Sequence, residues 1–246
     1  MTDIKTVNAY GEELEHSMAF QSAPVAVKML ASEDEIPEGA VRPKKDRGYH
    51  IALCQAFAFS RRNRETIAML KEDNWCPGPV VPFGLLKPDG EQLGPAGEQA
   101  TFEYGKYVGI VTAPLRTANF VPDAVLIYSD TNQLRTMLMS LKPEERSLIK
   151  SNFYPASCTN AVIPVIKNGE YWINLPDPGE YVRALTQAGE MMFTIPWPKM
   201  DEFMVNLRKF NRNESGYERE PMMMKTDYPL PPFYSSIFER WGMDHD

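Results

Sequence analysis

Apolar and polar positions alternate along this chain in short runs, and the runs predict strands interleaved with helices. Residues 4–20 place Ile4, Val7, Leu14, Met18 and Phe20 against Glu12, Glu13 and Glu15, the pattern of an amphipathic helix. Residues 24–30 read as a strand, and a polar loop follows over 31–48. Residues 50–62 are apolar almost all round (Ile51, Leu53, Cys54, Phe57, Phe59) and predict a buried helix that ends at Ser60-Arg61-Arg62. Further strands are expected at 66–70, 107–112, 124–128, 161–166, 171–175 and 190–195. Ser129-Asp130-Thr131 offers caps for a helix over 132–141, where Leu134, Met137, Leu138 and Leu141 share one face. Residues 144–149 are a further helical piece, 181–185 suit helix or strand, and Pro198 opens a helix over 199–210.

This order predicts an α/β class, with α+β the alternative, built on a mixed sheet. Gly169 is expected to turn a hairpin. Two stretches share one plan of strand, helix and following cysteine, so a pseudo-duplicated strand-helix-strand unit is expected. It rests on Cys54-Gln55 matching Asn132-Gln133 and places Cys76 and Cys158 at equivalent positions. Residues 1–210 form one expected domain, and residues 211–246 a tail rich in Pro and aromatics that packs on the core and ends in a short turn near 237–241. Self-packing of that tail is the simpler arrangement; covering a second copy of the chain, in a homo-oligomer, is the other.

Composition narrows the function. The 246 residues carry a formal charge of −7, which argues against nucleic acid or an anionic membrane as the main partner. No window approaches the ~18 apolar residues of a membrane span, and the N-terminus lacks the basic start and apolar run of a signal peptide. A cytoplasmic protein with reduced thiols is therefore expected. The phosphate-loop, dinucleotide-binding, nucleophile-elbow and paired-His zinc motifs do not occur. Met222-Met223-Met224 suits a soft packing patch better than a copper site.

Chemistry then falls to three cysteines, an odd number that excludes a disulfide scaffold. Cys54, Cys76 and Cys158 lie on separate segments and lack a Cys-x-x-Cys pair, so burial as small hydrophobes is the plain reading. Should they converge, three thiolates can hold zinc or an iron–sulfur cluster with one open position, and His50 is spaced to join Cys54 on a helix face. Arg61 and the helix start at Asn132 and Gln133 are the expected contacts for a small acidic molecule.

Pro24-Val25-Ala26-Val27-Lys28, Cys54-Gln55, Cys76-Pro77-Gly78, Phe83-Gly84-Leu85, Ala113-Pro114-Leu115, Pro122 to Ile127 with Asn132 and Gln133, Cys158, and Gly179 with Arg183 occur in one order. In that order the chain resembles the uncharacterised ArCR family, a domain of unknown function of archaea and of anaerobic or versatile bacteria, over about residues 15–210. The resemblance implies a cytoplasmic single domain whose recurring cysteines match Cys54, Cys76 and Cys158. The Pro-rich tail after residue 211 departs from the pattern. The expected function is a protein that binds a metal or iron–sulfur cluster and acts on a small acidic molecule in redox or lyase-type metabolism. The alternatives are a non-enzymatic carrier or accessory subunit, and a cofactor-free thiol enzyme.

Overall fold

The computed structural model describes residues 3–87, 100–153, 156–211 and 232–243. Met222-Met223-Met224 and most of the tail lie outside them. Seven strands form one mixed sheet: β1 (Val25–Leu30), β2 (Ile67–Leu70), β3 (Gly109–Pro114), β4 (Ala124–Ser129), β5 (Lys150–Asn152), β6 (Trp172–Asn174) and β7 (Met191–Pro196). Their spatial order is β2-β3-β1-β4-β7-β6-β5. Only β5–β6 is parallel, and the other neighbours run antiparallel.

Strand periodicity sorts the side chains into two cores. Val25, Val27 and Met29 face one, with Leu126, Tyr128 and Met192; Ala26, Leu30, Val125, Ile127 and Phe193 face the other. The helices divide accordingly. α1 (Ile4–Met18) precedes the sheet, and α2 (Pro43–Arg47) and α3 (Leu53–Ala58) lie between β1 and β2. α4 (Thr131–Ser140) and α5 (Pro143–Arg146) follow β4; α6 (Ser157–Asn160) and α7 (Ile163–Asn168) precede β6; α8 (Pro178–Arg183) links β6 to β7. α9 (Met200–Asn211) and α10 (Pro232–Trp241) end the chain. Buried residues of α1, α4 and α9 fill one core. Those of α3 and α7 fill the other, together with Cys158 of α6.

The register reveals an internal pseudo-twofold. Val25 pairs with Leu126 and Ala124 with Val27, so the axis passes between Ala26 and Val125. It relates β1 to β4, β3 to β7 and β2 to β6: Pro114 pairs with Val25 as Pro196 pairs with Ala124, and Thr112 with Ile67 as Thr194 with Trp172. The residue after each proline closes the same bond, Leu115 N to Pro24 O and Trp197 N to Asp123 O, at 2.8 and 2.9 Å. α3 and α6 occupy matching places ahead of β2 and β6, and each carries a cysteine as its second residue.

The expected equivalence of Cys76 with Cys158 is therefore corrected to Cys54 with Cys158. The X-Gln pairs misled because each glutamine makes the same local cap: the Gln55 and Gln133 side chains accept from Ala52 N and Asp130 N. α3 and α4 lie on opposite faces of the sheet. The strand expected at 161–166 is α7 instead. Pro164 sits in its first turn, where a missing N–H costs nothing, and Gly169 ends it at φ +68° rather than turning a hairpin. The tail carries the ten-residue α10 where a short turn is expected.

Gly11 lets α1 rest on the turn after β3. A Cβ there would overlap the backbone of Leu115 and Arg116. Gly11→Ala is expected to destabilise the fold by about 2–3 kcal/mol, read as a lower urea midpoint at unchanged slope.

Candidate functional site

The three cysteines come from three distant segments and enter one neighbourhood. Cys54 and Cys158 stand at the starts of α3 and α6, and Cys76 lies in the connection from β2 to β3. The matching connection of the other half, from β6 to β7, supplies α8 and its Arg183. Ala52, Cys54 and Ala184 pack as one small buried cluster with Cys76 against it. The Cys54 thiol points at the Gly179 carbonyl, 3.8 Å away.

Asp177 ties these pieces together. Its side chain caps α8 by accepting from Glu180 N at 3.0 Å and holds the start of α6 by accepting from Ser157 N at 2.8 Å. The Ser157 hydroxyl accepts in turn from Asp177 N, and Asn174 of β6 donates to the Ser157 carbonyl. Gly179 leaves room for the Arg183 guanidinium to lie over the helix, a place a Cβ would overlap, and a Cβ would also crowd Asp177 Oδ1. Arg183 folds back over its own helix and rests 5.4 Å from the ring of the exposed Trp75.

Burial sets the charge states. It pushes the Cys54 thiol up to about 12, with Glu180 adding to the rise and a hydrogen bond from Arg183 opposing it. Burial raises Cys158 well above the ordinary thiol value, and Cys54, Glu180, Asp177 and Cys76 all act on it in the same direction. Burial opposes the Arg183 charge, but Cys54, Cys76 and Asp177 outweigh it. Arg183 Nε is buried with no hydrogen-bond partner among the described residues.

Beneath the thiols lies a polar network. α3 runs into a π-helical turn, Phe59–Asn63, that turns Arg61 inward. Its guanidinium sits 3.9 Å from the Tyr128 ring centre and donates to Glu190, Ser22 and Thr186. The Tyr128 and Thr186 hydroxyls donate to the two oxygens of Glu180 at 3.1 and 3.0 Å. Arg61, expected to meet an acidic ligand, is 1% exposed and bonded to the protein itself. Gln133 caps α4 and donates to the Met18 and Ala19 carbonyls, while Asn132 is exposed on the first turn. Neither lies in the thiol neighbourhood. His50 is exposed and precedes α3, so it does not share a helix face with Cys54.

The sequence profile of one known family matches residues 13–206. The chain belongs to the uncharacterised ArCR family. No curated protein and no solved structure matches it. For this ArCR protein the chemistry must therefore be read from the site. Among its described residues no group of three or more His, Cys, Asp or Glu side chains is arranged to hold a metal ion, and no helix is long and apolar enough to cross a membrane. Asp177, Glu180 and Tyr128 are site residues that sequence reasoning did not single out, and Arg183 entered it through the family resemblance alone, with no role attached. The available signal was Asp177-Pro178-Gly179, a cap, a first-turn proline and a glycine, followed by Arg183 one turn after Gly179.

Two outcomes follow from these environments. Burial raises Glu180 to about 7, so the folded state prefers its neutral carboxyl. Its stabilising contribution is complete below about pH 4.5 and is lost as pH rises through 7; Glu180→Gln should flatten that part of a stability–pH profile. In reduced, chelator-treated protein, Cys76 should react first with a thiol reagent at pH 8, and Cys54 and Cys158 only as the protein unfolds. Three equally fast thiols would contradict the described packing.

Proposed function

We propose that Cys54, Cys76 and Cys158 hold an iron–sulfur cluster, and that Arg183 presents a small acidic molecule to it, in redox or lyase-type metabolism in the cytoplasm. The observation that carries this reading is that three thiols from three segments lie near enough to act on one another, with Cys54 and Cys76 beside the Arg183 guanidinium. Soft thiolates are the donors such clusters select, and a cluster spreads several atoms between its ligands. Bound there, it would supply electron transfer and one iron open to a ligand. A single zinc ion fits less well: it needs four donors drawn around one point, and His50 lies exposed and off the helix.

The chain's own residues have defined tasks in this reading. Ionising three thiols in a buried site adds negative charge, and Arg183 offsets it from beside Cys54 and Cys76. Tyr128 and Thr186 hold Glu180 in place, and its neutral form spares the thiolates a second negative neighbour. Acid recognition passes from Arg61 to Arg183, whose Nε has no acceptor among the described residues and whose face is shielded by Trp75. A second reading, a carrier or accessory subunit, draws on the exposed apolar side chains of Trp75, Val182 and Leu185 near this site.

Purification without oxygen, followed by assay of iron and acid-labile sulfide and a visible spectrum, tests the proposal. Stoichiometric iron and sulfide are expected, with occupancy falling severalfold in each of Cys54→Ala, Cys76→Ala and Cys158→Ala while Arg183→Lys retains the cluster. A colourless protein that takes up no iron on reconstitution overturns it. Transfer of bound iron and sulfide to an acceptor protein would favour the carrier reading.

A further inference from the structure

A second site opens at the far end of β4, where the chain leaves the sheet for α4. A cavity of about 120 Å³ is lined there by Tyr128, Ser129, Asp130, Gln133, Gln187 and Glu190, among others. Ser129 is 1% exposed, and its hydroxyl has no hydrogen-bond partner among the described residues. A buried hydroxyl left unpaired is unfavourable, so a ligand or water that completes it is favoured.

The lining decides the class of ligand. Two carboxylates, Asp130 and Glu190, face this space, and no lysine or arginine lines it. Glu190 is occupied by Arg61 and by Gln187 N. Asp130, exposed at the mouth, accepts from Gln133 N through Oδ1, and its Oδ2 has no protein partner among the described residues. An acid approaching the start of α4 would meet the Asp130 carboxylate first, and this outweighs the half-charge of the helix end. The remaining side-chain groups, Gln21, Thr131 and Gln187, are neutral.

We propose that this cavity binds a small primary ammonium compound of about six non-hydrogen atoms or fewer, its cation on Asp130 and its polar end on the Ser129 hydroxyl. The cavity shares Tyr128 and Glu190 with the network beneath the thiols, but the proposal does not rest on the cluster reading. Glu190 lines the cavity and is joined through Arg61 to Thr186, and Thr186 to Glu180, so occupancy would bear on the floor of the thiol centre.

Ethanolamine, ethylene glycol and acetate serve as probes, titrated against the intact chain by protein-observed NMR at millimolar concentration, the range that ligand efficiency allows for so few atoms. Ethanolamine is expected to bind, ethylene glycol about tenfold more weakly, and acetate not at all. Asp130→Asn keeps the helix cap while removing the charge, and should weaken ethanolamine about tenfold without unfolding α4. Acetate binding as well as ethanolamine, or ethanolamine shifts that persist unchanged in Asp130→Asn, would overturn the proposal. So would the absence of any ethanolamine shift near Ser129.

Discussion

Strands β1 and β4 meet antiparallel across Ala26 and Val125, and the placement of every thiol traces back to that pairing. It joins two half-sheets of matching order, β1-β3-β2 and β4-β7-β6, around a pseudo-twofold normal to the sheet. An axis in that direction keeps equivalent helices on one face. α3 and α6 therefore stand side by side over the same core, and each brings its second residue, Cys54 or Cys158, toward the other half. Small and β-branched side chains at the joint let the halves pack without a seam, because Val25, Ala26, Val27, Ala124 and Val125 are all fully buried.

The symmetry breaks where chemistry begins. The β2–β3 connection delivers Cys76 and Trp75, whereas the corresponding β6–β7 connection delivers Asp177, Glu180 and Arg183. One half thus contributes two thiols. The other contributes one thiol and the charged groups that govern it. Asp177 is central because it fixes two helix starts with one carboxylate, and loosening it would shift Cys158 and Arg183 together. In the deeper layer Arg61 is neutralised by Glu190, and burial favours the neutral form of Glu180 beneath the Tyr128 hydroxyl, so little unbalanced charge is buried.

Much of the fold was legible in the sequence. The strands at β1, β2, β4 and β7 announce themselves as short apolar runs bounded by Pro, Asp or Gly, and α1, α4 and α9 by their one-sided periodicity. The strand expected at 161–166 fails because strand and buried helix look alike over six apolar residues, and Pro164 suits the first turn of a helix. The repeat could be sensed but not aligned, since it resides in register and topology rather than in shared residues. The convergence of the cysteines was open to the same limit: nothing local in Cys54, Cys76 or Cys158 reports a distance. Arg61 misled for a physical reason. A π-helical turn rotates it off the exposed helix end where a regular helix would have left it.

The two-half plan also bears on how the chain reaches its working form. β1 finds its β4 partner across almost a hundred residues, and α8, which completes the thiol centre, lies later still. The pairings within the halves are distant too, Val25 with Pro114 and Ala124 with Pro196, and neither half alone contains the centre. Non-local pairings of this kind close slowly, because chain entropy is lost before contacts repay it. During synthesis Cys54 and Cys76 emerge well before Cys158 and Arg183, so the neighbourhood they share cannot close until the second half follows. The thiol centre is thus a late product of folding, and its completion marks the moment at which the two halves have become one molecule.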